Sequence, residues 1–190
     1  MKNANHLVLR LKKGQSKIPG EIYKSQNLTH LEIYGPDLAE ISPDIKKLNQ
    51  LTYLSIQGKK LTNVPAEIFQ IKSLSTLKIK NCSLFELPNI TPLLPSLINL
   101  DLSKNVLEKI PQKFSGIKSL NYLNLSHNKL TDLPIEFSHL DNLVRIILDS
   151  NPFTRLPLAV TRMMNLMHLS MDHNKLTPDE KNLAKELLNI

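Results

Sequence analysis

Apolar and polar residues recur along this chain with a period of 23 residues. Within each period, apolar side chains return at positions 1, 4, 6, 11 and 14, and this register holds over residues 28–176. The seven periods begin at Leu28, Leu51, Leu74, Leu97, Leu120, Leu143 and Leu166. Self-similarity at a fixed period is typical of repeat proteins, in which a coil buries its apolar side chains only by stacking on its neighbours.

Each period predicts one short strand and an irregular return. Apolar positions 4 and 6 alternate with polar positions 3, 5 and 7, which indicates a half-buried strand of about five residues. The return passes through a Leu-x-x-Leu-Pro segment, and proline suits an extended or 3-10 path because it fixes φ and donates no hydrogen bond. In the first period this proline stands one position later than in the pattern, as Pro43. The third period carries extra prolines in NITPLLPS, where we expect the return to bulge.

The pattern LxxLxLxxNxLxxLPxxFxxLxx, seen in the period LNYLNLSHNKLTDLPIEFSHLDN, resembles the leucine-rich repeat in its 23-residue, proline-containing form. Bacterial leucine-rich repeat proteins and the intracellular Ras-group-like proteins of eukaryotes use this form. The resemblance implies an α/β fold: a right-handed leucine-rich repeat solenoid bent into a curved horseshoe arc. It implies a short parallel β-sheet on the concave face, an irregular or 3-10 convex side and a C-terminal capping helix.

The resemblance also implies an inward ladder of asparagines at position 9, where an amide both donates and accepts hydrogen bonds. The last four periods fit, with Asn105, Asn128, Asn151 and Asn174. The first three instead place Pro36, Lys59 and Cys82 there. We expect Cys82 to be a small buried substitute rather than a reactive thiol, Lys59 to turn outward, and Pro36 to distort the first turn.

We expect one domain over residues 1–190, with a cap at each end. Residues 1–27 form the N-terminal cap and a degenerate repeat, whose Leu7, Leu9 and Leu11 alternate one residue out of the main frame. Residues 28–176 hold the seven repeats, and the capping box at 177–180 predicts a helix over 177–190. Its apolar face would cover the last coil with Leu183, Ala184, Leu187 and Leu188. Since both ends are capped, we expect a complete small protein or a complete domain; we also expect a monomer.

The net charge of +7 lies entirely in the first part of the chain. Residues 1–80 hold 13 basic and 6 acidic side chains, whereas residues 81–190 hold 11 of each. The simpler interpretation is a solvated, lysine-rich surface; the alternative is attraction to nucleic acid or an anionic surface. The alternative would use Lys12, Lys13, Lys17, Lys46, Lys47, Lys59 and Lys60. Aromatic residues are not interleaved with a basic track, which disfavours a nucleic-acid partner.

The location of the protein is predicted from its single cysteine and its apolar runs. Cys82 is the only cysteine, so no internal disulfide forms, which fits a reducing compartment. No run approaches the ~20 apolar residues of a membrane span, and the stretch at residues 7–11 is too short for a signal peptide. We predict a cytoplasmic protein, with an exported protein whose leader has been removed as the alternative.

The strand positions that point away from the core predict a binding surface on the concave face. Three of the four tyrosines fall there, and Tyr and Arg often anchor interfaces, although Tyr is also favoured in strands generally. Basic residues lie centrally and acidic residues near the C-terminal end, so a partner with both signs of charge fits better than a polyanion. The predicted partner-binding residues are Tyr34, Tyr53, Lys78, Lys80, Asp101, Tyr122, Asn124, Arg145, Ile147, Asp149, His168 and Asp172.

No catalytic residue, cofactor or metal site is predicted. GxSxG, HExxH, P-loop and paired-cysteine motifs are missing from the sequence, and an open strand surface offers no dry cleft. The nearest approach to a metal set is His168, Asp172, His173 and Asp149, for which a solvated polar patch is the favoured interpretation.

The predicted function is a non-catalytic protein–protein interaction module, a scaffold or signalling protein, that binds a protein or peptide on the concave face. Binding of an anionic surface or nucleic acid through the basic N-terminal part is the alternative. A structural role in a larger assembly, with contacts on the convex side or caps, also stays open.

Overall fold

Eight parallel strands form one sheet in chain order. The computed structural model describes residues 5–187. The strands are β1 His6–Arg10, β2 His30–Tyr34, β3 Tyr53–Gln57, β4 Thr76–Ile79, β5 Asn99–Asp101, β6 Tyr122–Asn124, β7 Arg145–Ile147 and β8 His168–Ser170. Each strand pairs with its neighbours along the chain, from β1 to β8. The predicted solenoid, with a parallel sheet of one strand per repeat, is confirmed.

The N-terminal strand joins this sheet in full register. Leu7 lies opposite Leu31 and Leu9 opposite Ile33, a spacing of 24 residues instead of 23. One extra residue between β1 and β2 therefore explains why the N-terminal leucines fall out of the main frame. The same register places His6 beside His30, on the opposite face of the sheet from the leucines.

The return segments carry short helical turns. Five are 3-10 helices, Gly20–Lys24, Pro43–Lys47, Ala66–Gln70, Gln112–Gly116 and Ile135–His139, and the sixth is the α-helix α1, Leu158–Thr161. Five of the six follow directly on a proline, which has φ between −54° and −67° and an extended ψ and therefore precedes the first helical residue. Residues 80–98, all described, contain no helical turn. Pro92 and Pro95 lie in this segment and have no N–H for the bonds that a 3-10 turn needs.

The leucines and isoleucines of the repeat fill a continuous core. Leu54, Ile56, Leu77 and Ile79 are fully buried on the core side of the sheet. Four phenylalanines, Phe69, Phe114, Phe137 and Phe153, fill the space between the sheet and the returns, and the rings of the first two meet edge-on with centroids 5.1 Å apart. Each such side chain stabilises the stack by about 1.5–3 kcal/mol through burial.

The asparagines at position 9 form the expected ladder. Asn128 is buried; its Nδ2 donates to the carbonyls of Leu102 and Leu125, each at 3.0 Å. Asn105 and Asn151 are also buried and repeat this pattern. Cys82 confirms its predicted role as a buried substitute, since its thiol donates to the carbonyl of Lys80 at 3.4 Å. Burial raises the pKa of that thiol to about 11.

The first two turns differ from those that follow. Leu38 N–H donates to the carbonyl of Gly35 at 3.2 Å, and Leu61 N–H donates to the carbonyl of Gly58 at 2.9 Å. Each of these N–H groups is therefore bonded within its own turn. Pro36 and Lys59 are exposed there, which confirms the outward Lys59 and the distinct geometry of the first turn. From the third repeat onward, position 8 has a positive φ of 54–59°, at Asn81, Lys104, His127, Ser150 and His173.

The C-terminal helix α2 spans Pro178–Leu187. Its start is capped as predicted, with Glu180 N–H donating to Thr177 Oγ1 at 3.3 Å. Glu180 also accepts from Leu156 N–H at 2.8 Å, so the carboxylate ties the helix to the previous repeat. Ala184 packs against the core, but Leu183, predicted on the covering face, is 43 % exposed. Leu188 and the side chain of Leu187 lie outside the described residues.

Candidate functional site

Two columns of side chains cover the solvent side of the sheet, which we call the concave face. Strand register aligns position 3 as His6, His30, Tyr53, Thr76, Asn99, Tyr122, Arg145 and His168. It aligns position 5 as Val8, Glu32, Ser55, Lys78, Asp101, Asn124, Ile147 and Ser170. The structure therefore brings most of the predicted site residues together on one surface.

Position 7 departs from the sequence prediction in the later repeats. It belongs to a strand only in β2 and β3, as Tyr34 and Gln57, and in β1, as Arg10. The strands β4 to β8 end earlier, so Lys80, Asp149 and Asp172 lie in the segments that follow the strands rather than on strands. The expectation that these three residues are strand positions is wrong.

In β5 and β6, the side chain at position 5 bonds to the backbone directly after the strand. Asp101 Oδ1 accepts a hydrogen bond from Ser103 N–H at 3.0 Å, and Asn124 Oδ1 accepts from Ser126 N–H at 3.0 Å. Such bonds to the backbone two residues onward form a turn that ends a strand. Ser103 and Ser126 are consequently buried, although the alternation assigned them to the concave face. Ser55 is also buried, because this small side chain lies between Glu32 and Lys78 in its column.

Aromatic rings stack along the first strands, in what we call the N-terminal cluster (His6, His30, Glu32, Tyr34 and Tyr53). The ring centroids of His6 and His30 are 3.9 Å apart, and those of His30 and Tyr53 are 4.0 Å apart with planes only 4° from parallel. Tyr34 Oη donates to Glu32 Oε2 at 2.5 Å. This bond is the main cause that lowers the pKa of Glu32, and the carboxylate in turn raises the pKa of Tyr34.

Two cations flank the rings of this cluster. Arg10 lies over the ring of Tyr34, with its guanidinium carbon 4.8 Å from the centroid, and Lys78 Nζ lies 5.2 Å from the centroid of Tyr53. Cation–π contacts of this kind hold both tyrosines in defined orientations. Tyr34 and Tyr53 are half-buried and keep part of each ring accessible on the concave face.

The middle of the concave face is built around Tyr122. This side chain is half-buried between Asn99 and Arg145 in the position-3 column. Burial, followed by the negative charge of Asp101, raises the pKa of its phenol above the ordinary value, at which it is already neutral at physiological pH. Tyr53 and Tyr122 are three strands apart, which is roughly 14 Å at 4.8 Å per strand.

The C-terminal end of the face is acidic, but one of its two carboxylates is already bonded. Asp149 Oδ1 accepts from Ser170 Oγ at 2.6 Å and from the backbone N–H of Asp172 at 2.9 Å. Asp172, Arg145 and His168 are exposed, whereas Ile147 is half-buried. Arg145 and Asp172 are therefore the accessible charged groups here, with Asp149 ordering the turn.

Sequence reasoning missed one arrangement on this face. Within residues 5–187, the group of histidine and acidic side chains close enough together to hold a metal ion is His6, His30 and Glu32, not the group around His168. The residues of β1 lie one position out of phase with the 23-residue repeat. A strict period of 23 residues therefore does not align His6 with His30. Aligning Leu7 with Leu31 would have put the two histidines side by side.

No helix among the described residues is long and apolar enough to cross a membrane.

Comparison with known proteins identifies the repeat. A family model described as "Leucine rich repeat" matches residues 72–130 and 95–153. No curated protein matches the chain. Among solved structures, a leucine-rich repeat protein of Leptospira interrogans is similar, with 28 % identity and a TM-score of 0.69 over 89 % of this chain and 49 % of that chain.

Two further solved structures show the same architecture. The leucine-rich repeat ectodomain of a plant membrane receptor kinase from Arabidopsis thaliana, in complex with CASPARIAN STRIP INTEGRITY FACTOR 2, is 30 % identical with a TM-score of 0.70. The match covers 87 % of this chain and 21 % of the receptor chain. The functional domain of InlJ from Listeria monocytogenes, which includes a cysteine ladder, is 21 % identical with a TM-score of 0.68, over 83 % of this chain and 32 % of that one. The chain thus spans less than two thirds of the length of each of these proteins.

Proposed function

Because the chain is a leucine-rich repeat protein, we propose that it is a non-catalytic interaction module that binds a protein or peptide on the concave face. Leucine-rich repeat proteins generally act as interaction modules, and one similar structure is a receptor ectodomain solved with a bound factor. That neighbour supports the class of partner but gives neither its identity nor the face it uses here.

The observation that carries the proposal is the fixed orientation of the tyrosines on the concave face. Tyr53 is held between the ring of His30 and the ammonium group of Lys78, and Tyr34 between Arg10 and Glu32. Side chains that are ordered before binding lose less conformational entropy in a complex, and Tyr is among the commonest interface anchors. A purely structural reason for these tyrosines is weak, because their rings pack on the solvent side of the sheet.

The size and charge of the surface indicate a peptide-like partner segment. Eight strands at 4.8 Å span roughly 34 Å, which matches about ten residues of extended chain. Lys78 and Arg145 offer positive charge, whereas Asp172 offers negative charge near the C-terminal end. A partner with both charged types would make complementary contacts along this surface.

The structure gives less support to binding through the basic N-terminal part. Three of its seven lysines are paired with carboxylates: Lys17 with Glu40 at 2.7 Å, Lys60 with Asp37 at 2.7 Å and Lys47 with Asp44 at 2.9 Å. These pairs reduce the positive charge available to a polyanion. A steep fall of affinity with salt would be the signature of that alternative.

The test is affinity capture with three forms of the protein, from lysate and extracellular fractions of the source cells. The site variant combines Tyr53→Ala, Tyr122→Ala and Arg145→Ala. The matched control combines Phe85→Ala, Leu158→Ala and Arg162→Ala, three exposed residues off the concave face. Circular dichroism and thermal unfolding check that both variants fold.

A partner retained by the wild type and the control but lost by the site variant supports the concave face. With the purified partner, the site variant should bind at least about 100-fold more weakly, since each of the three interface anchors costs more than about 1 kcal/mol when truncated. Equal binding by the site variant would contradict the proposal and redirect attention to the convex side or the caps.

A further inference from the structure

Two histidines and a glutamate converge at the N-terminal edge of the concave face. His6 lies on β1, and His30 and Glu32 lie on β2, at register positions that adjoin one another. Nε2 of His30 is 3.3 Å from Oε1 of Glu32, and Nε2 of His6 is 4.0 Å from the same oxygen. The three ligand atoms all lie within 4.8 Å of one another.

These separations fit the coordination sphere of a divalent transition metal. Zinc binds imidazole nitrogen and carboxylate oxygen at about 2.0–2.2 Å, so neighbouring donors in a tetrahedral site lie roughly 3.3–3.5 Å apart. The His30–Glu32 pair already has this spacing. The His6–Glu32 pair needs to close by less than 1 Å, and the His6 side chain is exposed enough to rotate.

The surroundings of the carboxylate favour a ligand role over a simple ion pair. Tyr34 Oη donates to Oε2 of Glu32, which leaves Oε1 directed at both histidines. Hydrogen bonds of this kind orient the ligands of metal sites and tune their affinity. The three ligands also stand on paired strands, a rigid support that fixes their spacing.

We propose that His6, His30 and Glu32 form a binding site for one divalent transition-metal ion of the zinc type. Imidazole and carboxylate together suit zinc and its neighbours, and disfavour calcium and magnesium, which prefer oxygen ligands alone. Three protein ligands leave a coordination position open on the solvent side. If the concave face binds a partner as proposed above, a carboxylate or imidazole of that partner can occupy this position.

The experiment uses the whole chain without a histidine tag, freed of metal by a chelator. Zinc is titrated by calorimetry, and cobalt is titrated by its visible d–d absorption, which reports the geometry of the bound ion. The ligand variant carries His6→Gln and Glu32→Gln, substitutions that preserve side-chain size. The matched control carries His139→Gln and Glu108→Gln, an exposed histidine and an exposed glutamate from other parts of the chain. A third variant, Tyr34→Phe, tests the hydrogen bond to Glu32.

The expected result is one equivalent of zinc bound with micromolar or tighter affinity by the wild type and the control. The ligand variant should lose at least about 100-fold in affinity, and Tyr34→Phe about 10-fold, the effect of a lost supporting hydrogen bond. Zinc should raise the unfolding temperature of the wild type but not of the ligand variant. No saturation up to millimolar zinc would overturn the proposal, as would equal binding by the ligand variant while circular dichroism shows it folded. Zinc binding is measured on the chain alone, without any partner. A chain that does not bind zinc would therefore not contradict the proposed interaction role, which the affinity capture tests separately.

Discussion

The side-chain oxygen of Asn128 accepts a hydrogen bond at 3.0 Å from the backbone N–H of Leu107, which precedes it by 21 residues. The same amide donates to the carbonyl of Leu125 in its own repeat and to that of Leu102 in the repeat before. One buried side chain therefore satisfies backbone groups in two coils at once. Repetition of this bond at Asn105 and Asn151 holds the later coils together independently of their apolar contacts.

Asn128→Ala should destabilise the protein by about 2–4 kcal/mol, because it leaves one buried N–H and two buried carbonyls without this partner. The measurement is the midpoint of urea unfolding followed by circular dichroism. Asn121→Ala is the matched control, since Asn121 is exposed and donates only to the carbonyl of Asn142. The free energy of unfolding of Asn121→Ala should stay within about 0.5 kcal/mol of the wild-type value. Equal losses of stability in the two variants would show that the hydrogen bonds of Asn128 do not stabilise the fold more than an exposed hydrogen bond does.

Cys82→Asn restores the asparagine of the repeat pattern, yet it should destabilise the protein. In the later repeats, the asparagine oxygen accepts from a free backbone N–H of the preceding turn. The corresponding N–H before Cys82 belongs to Leu61 and already donates to the carbonyl of Gly58. An asparagine oxygen at position 82 would therefore be a buried acceptor without a donor, at a cost of about 1–3 kcal/mol.

Urea unfolding of the wild type, Cys82→Asn and Cys82→Ala tests this account. Cys82→Ala removes only a weak thiol donor and a small volume, so it serves as the reference for losing the native side chain. A Cys82→Asn protein more stable than the wild type would contradict the account, and would mean that the second turn rearranges to free the Leu61 N–H.

The thiol of Cys82 should make the folded state weaken in alkali. Its pKa is 9.0 in an unfolded chain and about 11 in the buried position. The folded state holds this proton more tightly, so the stabilisation is complete below pH 9 and is lost as the pH rises from about 9 to 11. The rise of the pKa from 9.0 to about 11 corresponds to about 2–3 kcal/mol of folding stability.

The comparison of wild type with Cys82→Ala over this pH range isolates the contribution of the thiol, because lysines and tyrosines titrate in both proteins. The difference in unfolding free energy between them should change in favour of Cys82→Ala as the pH rises. Parallel stability curves between pH 8 and pH 11 would contradict the prediction.

The sequence predicts the parts of the fold that follow the 23-residue period, and fails where a local feature breaks it. Leu54 and Leu77 fall at the same position and lie side by side in the sheet, and Asn128 turns inward as its position implies. The turn after β5 was not predictable from the period, because it depends on a single hydrogen bond from Ser103 N–H to Asp101 Oδ1.

The candidate metal site was missed for a related reason. His6 and His30 are 24 residues apart, and the extra residue hides their alignment from a strict period. The tyrosines of the concave face were predictable as outward residues from alternation alone. Their fixed orientations were not, since these depend on contacts between repeats, such as the ring of Tyr53 against that of His30.

Gly35→Ala should destabilise the first coils by about 1–3 kcal/mol, the usual cost of overpacking. A Cβ at Gly35 would lie 2.8 Å from Cβ of Leu38 and 2.9 Å from Cδ1 of Leu11. Leu38 is fully buried and its Cβ is fixed to the backbone, so it cannot rotate away from the new methyl group.

Gly20→Ala is the matched control, because a Cβ there meets nothing within 4 Å. Its effect on stability should be neutral or slightly favourable, since alanine restricts the unfolded chain more than glycine does. Urea unfolding of both variants is the measurement. A Gly35→Ala protein as stable as Gly20→Ala would contradict the prediction, and would mean that the first turn can move away from β1 without loss of stability.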